Sequence, residues 1–232
     1  MFAFPPLSKF IRNVLIVLFS AFVATALLAR FASIETFGWL SLVPQPSVAW
    51  AWQVITYPFA VPVTPGSLPA LLFTLFFLYL IGSPFEQRFG AKRTFQALVV
   101  SSLSAAVPVL VLSFVSRGMI PLFGASPMVF GLFVAFIASV RAGQVSFMGV
   151  LPMKPWHAIA ISIGFSFLSY VTSGNITPFV ADLGAIAGGY AFARYLGRPT
   201  SGSRPSRKPP KKRPFEVIPG GRTPNDPPKW LN

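Results

Sequence analysis

Runs of about 20 apolar residues recur along this chain, and each is long enough as a helix to cross roughly 30 Å of hydrocarbon. Only 10% of the 232 residues are charged, against about 25% in an ordinary soluble domain. The expected fold is an all-α polytopic membrane protein, a six-transmembrane helical bundle over residues 1–198. The spans read as 13–33, 69–85, 95–116, 126–140, 156–172 and 178–196. Residues 34–68 interrupt this series. They carry Trp39, Trp50, Trp52 and Tyr57 among five prolines. Such aromatics favour the membrane–water interface, and the prolines break helices. This stretch reads as an interfacial first loop with short helical pieces. A secretory signal peptide would share the basic start at Lys9 and Arg12, but no small-residue cleavage site leads into a soluble domain.

The formal net charge is +14, and its placement orients the chain. An even number of spans puts both termini on one side. With the N-terminus in the cytoplasm, 17 of the 19 basic residues fall on that side, all but Arg30 and Arg117, as the positive-inside bias requires. Residues 199–232 hold nine prolines and eight basic residues against two acids. This basic, proline-rich segment buries too little apolar surface to offset its ordering entropy and reads as a disordered cytoplasmic tail. It is either a solvated tail that reinforces orientation or a contact for anionic lipid headgroups. Nucleic acid is not expected, since Phe215 and Trp230 are too few to interleave with the charge. Plasma or inner membrane and endoplasmic reticulum are equally compatible with these features.

The chain has no cysteine and a single histidine, His157. Thiol catalysis, disulfides and histidine-rich metal sites are therefore excluded, and no cofactor is expected. His157 reads as an interfacial residue at the start of the fifth span. Ser126 lies about 15 residues, or roughly 22 Å, from the corresponding end of its own helix, so His157 is out of reach as a base for it.

Three constellations remain. The second span ends in Gly82-x-x-x-Glu86-x-x-x-Gly90, where the small residues allow close helix approach. Glu86 needs partners there, either backbone N–H groups or Arg88. Phe123-Gly124-Ala125-Ser126-Pro127 opens the fourth span. Ser126 is a good N-cap with Pro127 at the first helical position. Alternatively it is a nucleophile at a helix start whose free N–H groups could stabilise an oxyanion. Ala181-Asp182-Leu183-Gly184-Ala185 through Gly189 begins the sixth span. An acid within a span is costly and marks a functional position. A polar contact between Ser126 and Asp182, direct or through water, is expected.

These motifs resemble the rhomboid family of intramembrane serine proteases. Gly124-Ala125-Ser126 with Phe130-Gly131-Leu132 resembles the family's nucleophile motif. Gly82-x-x-x-Glu86-x-x-x-Gly90 is similar to its second-span ending. Trp52-Gln53 with Thr56-Tyr57 resembles its first-loop motif, with Gln53 where arginine is frequent. Ala181-Asp182-x-x-Ala185-x-x-x-Gly189 resembles the sixth-span motif. The resemblance covers about residues 10–198. It implies Ser126 at the nucleophile position, Asp182 where the family has its catalytic histidine, and Ala70 and Thr74 where a histidine and an oxyanion-hole asparagine are usual. Gly82, Glu86, Gly90, Gly124 and Gly189 fall at structural positions. Pro127 replaces a glycine.

A serine without an adjacent base is a poor nucleophile, and an ionised aspartate lacks the two-sided relay of an imidazole. The pattern is thus similar to the rhomboid pseudoproteases, including the derlins, which Phe147-x-Gly149 and Pro155-Trp156 also resemble. The implied partners are transmembrane segments of client proteins. The alternative is an intramembrane serine endopeptidase with Ser126 as nucleophile and Asp182 as an unusual base. A channel or transporter fits less well, because the spans lack a repeated set of pore-lining polar residues.

Overall fold

The computed structural model describes residues 5–32, 36–43, 50–115, 121–139, 146–147, 151–152 and 155–197. Arg117, Arg141, Lys154, Gly149, Arg198 and the tail 199–232 lie outside them. So do the expectations placed on those residues.

The described chain forms eight α-helices: α1 (Lys9–Phe31), α2 (Phe37–Leu40), α3 (Trp50–Thr56), α4 (Ser67–Phe89), α5 (Ala91–Val115), α6 (Ser126–Ser139), α7 (Pro155–Ser173) and α8 (Ile176–Gly197). A 3-10 turn over Tyr57–Phe59 follows α3, and two-residue strands β1 (Ser146–Phe147) and β2 (Leu151–Pro152) pair antiparallel. Segments of 21 to 23 residues within α1, α4, α5 and α8 are long and apolar enough to cross a membrane. The 14-residue α6 spans only about 21 Å at 1.5 Å per residue. It is apolar along its whole length and largely buried among its neighbours. A helix that starts at membrane depth needs such enclosure, because its end groups find no water in lipid.

The centre of the bundle is α8, packed between α5 and α6. Glycines make this possible on two faces. A Cβ at Gly189 would fall 2.1 Å from the carbonyl oxygen of Gly131 on α6, and one at Gly188 would fall 1.9 Å from the Ser104 hydroxyl on α5. One at Gly184 would meet the Ser104 carbonyl at 2.3 Å and Pro108 at 2.6 Å. Gly131 itself faces Ser101 and the Ala185 carbonyl. Lipid tails are as apolar as leucine, so helices in membranes associate through such close packing rather than through the hydrophobic effect.

The end of α4 is fastened to the start of α1. A Cβ at Gly82 would meet the Ile11 side chain at 2.5 Å. One turn later the Glu86 carboxylate accepts bonds from the N–H groups of Phe10 at 3.2 Å and Ile11 at 3.0 Å, and from the Ser8 hydroxyl. A carboxylate at a helix N-terminus satisfies orphan donors and complements the helix dipole. Arg88 instead lies over the Phe89 ring at 5.6 Å. Tyr79 and Gln87 donate to the Pro5 and Pro6 carbonyls on the same N-terminal segment. Gly90, at φ 83°, ends α4 and lets α5 begin at the next residue.

The glycine contacts predict a sharp contrast between two helices. Gly189→Ala forces α8 and α6 apart and costs at least about 1–3 kcal/mol as overpacking. Gly164→Ala on α7 meets nothing within 4 Å and gains roughly 0.5–1 kcal/mol of helix propensity. Reversible unfolding in mixed micelles measures both.

Candidate functional site

Ser126 is the first helical residue of α6 rather than its cap. The Ala125 carbonyl accepts the first helical bond, from Val129 N–H at 3.1 Å, which places Pro127 second. The helix start therefore offers only the N–H groups of Ser126 and Met128, because Pro127 has none. The Ser126 side chain is exposed and makes no hydrogen bond with another described residue.

The loop before it is held by backbone bonds. Leu122 and Leu42 form an isolated antiparallel bridge with two N–H to C=O bonds of 2.9 Å. Gly124, at φ 84°, donates its N–H to the Tyr57 carbonyl at 3.0 Å. Tyr57 is fully buried and donates its phenol to the Ser102 carbonyl on α5 at 2.9 Å. Burial pushes that phenol well above its ordinary pKa, so it remains a donor. The first loop is in turn tied to itself. Gln53 accepts from Val43 N–H and donates to the Gly38 carbonyl, Trp52 donates to the Trp39 carbonyl, and Thr56 to Leu40. The residues 50–57 thus form one hydrogen-bonded block that positions the start of α6.

Asp182 lies on the first half of α8 and is 6% exposed. Its Oδ2 accepts a 2.6 Å bond from the Ser166 hydroxyl on α7, while Oδ1 has no partner among the described residues. Ser126 sits five residues before Gly131 on α6, and Asp182 three before Ala185, the Gly131 neighbour on α8. These offsets are about 7.5 Å and 4.5 Å along the helix axes. Of the contact expected between Ser126 and Asp182, direct or through water, the direct form is absent among the described residues. Asp182 turns to α7, because α7 and α8 are joined by the short turn at Gly174–Asn175 and their facing positions are held in register.

The other positions are placed as follows. Thr74 donates its hydroxyl to the Ala70 carbonyl of its own helix at 2.9 Å, the usual resort of a threonine in an apolar span. Its donor is thereby spent within α4. His157 is exposed in the first turn of α7, its ring 4.1 Å from that of Trp156. Ser166 lies nine residues further along α7, about 13.5 Å away along the axis. Among the described residues no group of three or more His, Cys, Asp or Glu is placed to hold a metal. Sequence reasoning missed Ser166 altogether. Its signal was present: Ser162 and Ser166 stand one turn apart in an apolar helix, both are buried, and small polar residues at such spacing bond across helices.

Gly124 offers a test of this loop. Space around it is open, so Gly124→Ala suffers from its left-handed backbone alone, about 1–2 kcal/mol. Gly124→Asn costs less, since asparagine visits that region more readily. Thermal unfolding of the two variants in the same detergent checks the order.

Comparison with curated proteins gives no match. The sequence profile of the rhomboid domain, in contrast, matches residues 49–199, which is more than half of the chain and runs from α3 to the end of α8. The all-helical bundle, the apolar helices long enough to span a bilayer and this match agree, and the chain belongs to the rhomboid family of integral membrane proteins.

Proposed function

We propose that this rhomboid-family membrane protein is a pseudoprotease that binds transmembrane segments of client proteins without cleaving them. One observation supports the reading: Asp182, the only acid of α8, accepts its hydrogen bond from Ser166 of α7 and not from Ser126. Serine oxygen needs a general base within about 3 Å to attack a peptide carbonyl. The side chain on hand instead serves as a polar tie between two helices. Two further features support the reading. Pro127 removes a donor from the α6 start, and the Thr74 hydroxyl is turned back on α4. An oxyanion would find few groups to stabilise it.

Client binding would use surfaces that face outward from the bundle. On α7 these include Ile161, Phe165 and Leu168, and on the first loop Trp39, Trp52 and Ile55, all about half exposed or more. In this reading the helices cross the bilayer six times, with both termini in the cytoplasm and the basic tail beside the headgroups. A second reading, an intramembrane endopeptidase, has one observation in its favour. Ser126 is exposed and its hydroxyl is not committed to another described residue.

Labelling with a fluorophosphonate separates the two. The purified protein in lipid nanodiscs is expected to take up no label above the level of the Ser126→Ala variant. Labelling that disappears in Ser126→Ala would establish an activated serine and overturn the pseudoprotease reading.

A further inference from the structure

We propose that the groove between α1 and α4 is a binding site for a phospholipid with an anionic headgroup, the acyl chain lying in the groove and the phosphate at Lys9 and Arg12. The groove is a shallow one, open along its outer side, with a volume of about 450 Å³, and it is lined almost wholly by apolar atoms of Leu15, Ile16, Phe19 and Ser20 on α1 and Leu75, Phe76 and Tyr79 on α4. That volume is in the range of small-molecule sites, roughly 300–1,000 Å³. It suits an acyl chain better than a helix about 10–12 Å across.

The charge follows from helix geometry. Arg12 precedes Leu15, Ile16 and Phe19 by three, four and seven residues, so it stands on the face of α1 that lines the groove. Lys9 lies one turn earlier, half a face away. From Arg12 the groove runs about 6 Å deep at Ile16 and about 10.5 Å at Phe19, the order in which a lipid presents phosphate and then chain. Both cations are exposed, and neither is paired with an acid among the described residues. The acid that shares the α4 face of the groove, Glu86, already accepts bonds from Phe10 and Ile11 N–H and from Ser8. Its charge is therefore turned into the helix start and away from the groove. Tyr79 closes the same end by donating to the Pro5 carbonyl at 2.6 Å. A cationic rim above an apolar slot selects headgroup charge and chain together, and each basic residue at a membrane surface attracts anionic lipid independently.

The test is the fraction of motionally restricted lipid in phosphatidylcholine bilayers holding the full-length protein. Nitroxide-labelled phosphatidylglycerol is compared with labelled phosphatidylcholine by electron spin resonance. The protein is expected to restrict phosphatidylglycerol with an association constant on the order of tenfold higher. Lys9→Gln with Arg12→Gln brings the preference close to unity. Ser20→Trp, at a groove-lining position of α1, fills the groove, leaves every charge in place and also lowers it several-fold. Unfolding temperatures like that of the parent protein show that both variants are folded. Equal restriction of the two lipids would mean annular lipid only and would overturn the proposal. A preference that survives Ser20→Trp would also overturn it, assigning the selectivity to surface charge such as the basic tail. Displacement of the labelled lipid by a transmembrane peptide at equimolar amounts would make the groove a helix-docking face instead.

Discussion

Backbone-to-backbone contact along α8 is the constraint on which the rest of the bundle depends. In a lipid medium there is no hydrophobic gain from bringing two apolar helices together, so attraction has to come from dispersion at close range and from polar ties. Gly184 and Gly188 let α8 settle on Ser104 and Pro108 of α5, while Gly189 lets it settle on Gly131 of α6. With α8 fixed on both sides, α6 can be short. Its 14 residues pack among longer helices, with most of them buried. Ser126 and Asp182 reach their positions because of this packing, and neither position could be held by a looser arrangement of larger side chains.

The polar ties are then distributed with an economy that bears on function. Glu86 satisfies the start of α1, and Tyr57 links the first loop to both α5 and the approach to α6. Asp182 holds α7. Beside this tie α7 makes ring contacts, Phe167 and Tyr170 with Phe179 of α8 and Phe165 with Phe130 of α6, and most of its other side is exposed. In the proposed reading, Asp182, at the position where the family has its histidine, has a structural task in place of a catalytic one.

Much of this was legible in the sequence, for stated reasons. Long apolar runs mark where the long helices lie, and Ser173, Gly174 and Asn175 read as the turn between α7 and α8, where Gly174 has φ 66°. Of the cluster Gly82–Glu86–Gly90, Gly82 makes the expected close contact, whereas Gly90 has open space around it and instead ends α4 with a positive φ; backbone N–H groups as partners for Glu86 were one of the two options. What the sequence could not give was the choice between partners. Ser126 and Asp182 are both at helix starts, and pattern alone made them a plausible pair. Ser166 won because α7 is tethered to α8 by two residues, which is a matter of register in three dimensions. The cap of α6 was misread for a smaller reason: Ser126 is a favoured capping residue, but Ala125 supplies the first carbonyl. The bridge between Leu42 and Leu122 joins segments 80 residues apart and leaves no periodic trace.

The most direct measurement of the central claim is which serine Asp182 serves. Two double-mutant cycles on unfolding free energy in bicelles, Asp182→Ala with Ser166→Ala and Asp182→Ala with Ser126→Ala, isolate the two couplings. Coupling of roughly 0.5–2 kcal/mol is expected with Ser166, in the range of hydrogen bonds between helices in membranes, and close to zero with Ser126. A coupling to Ser126 that equals or exceeds the one to Ser166 would contradict the account.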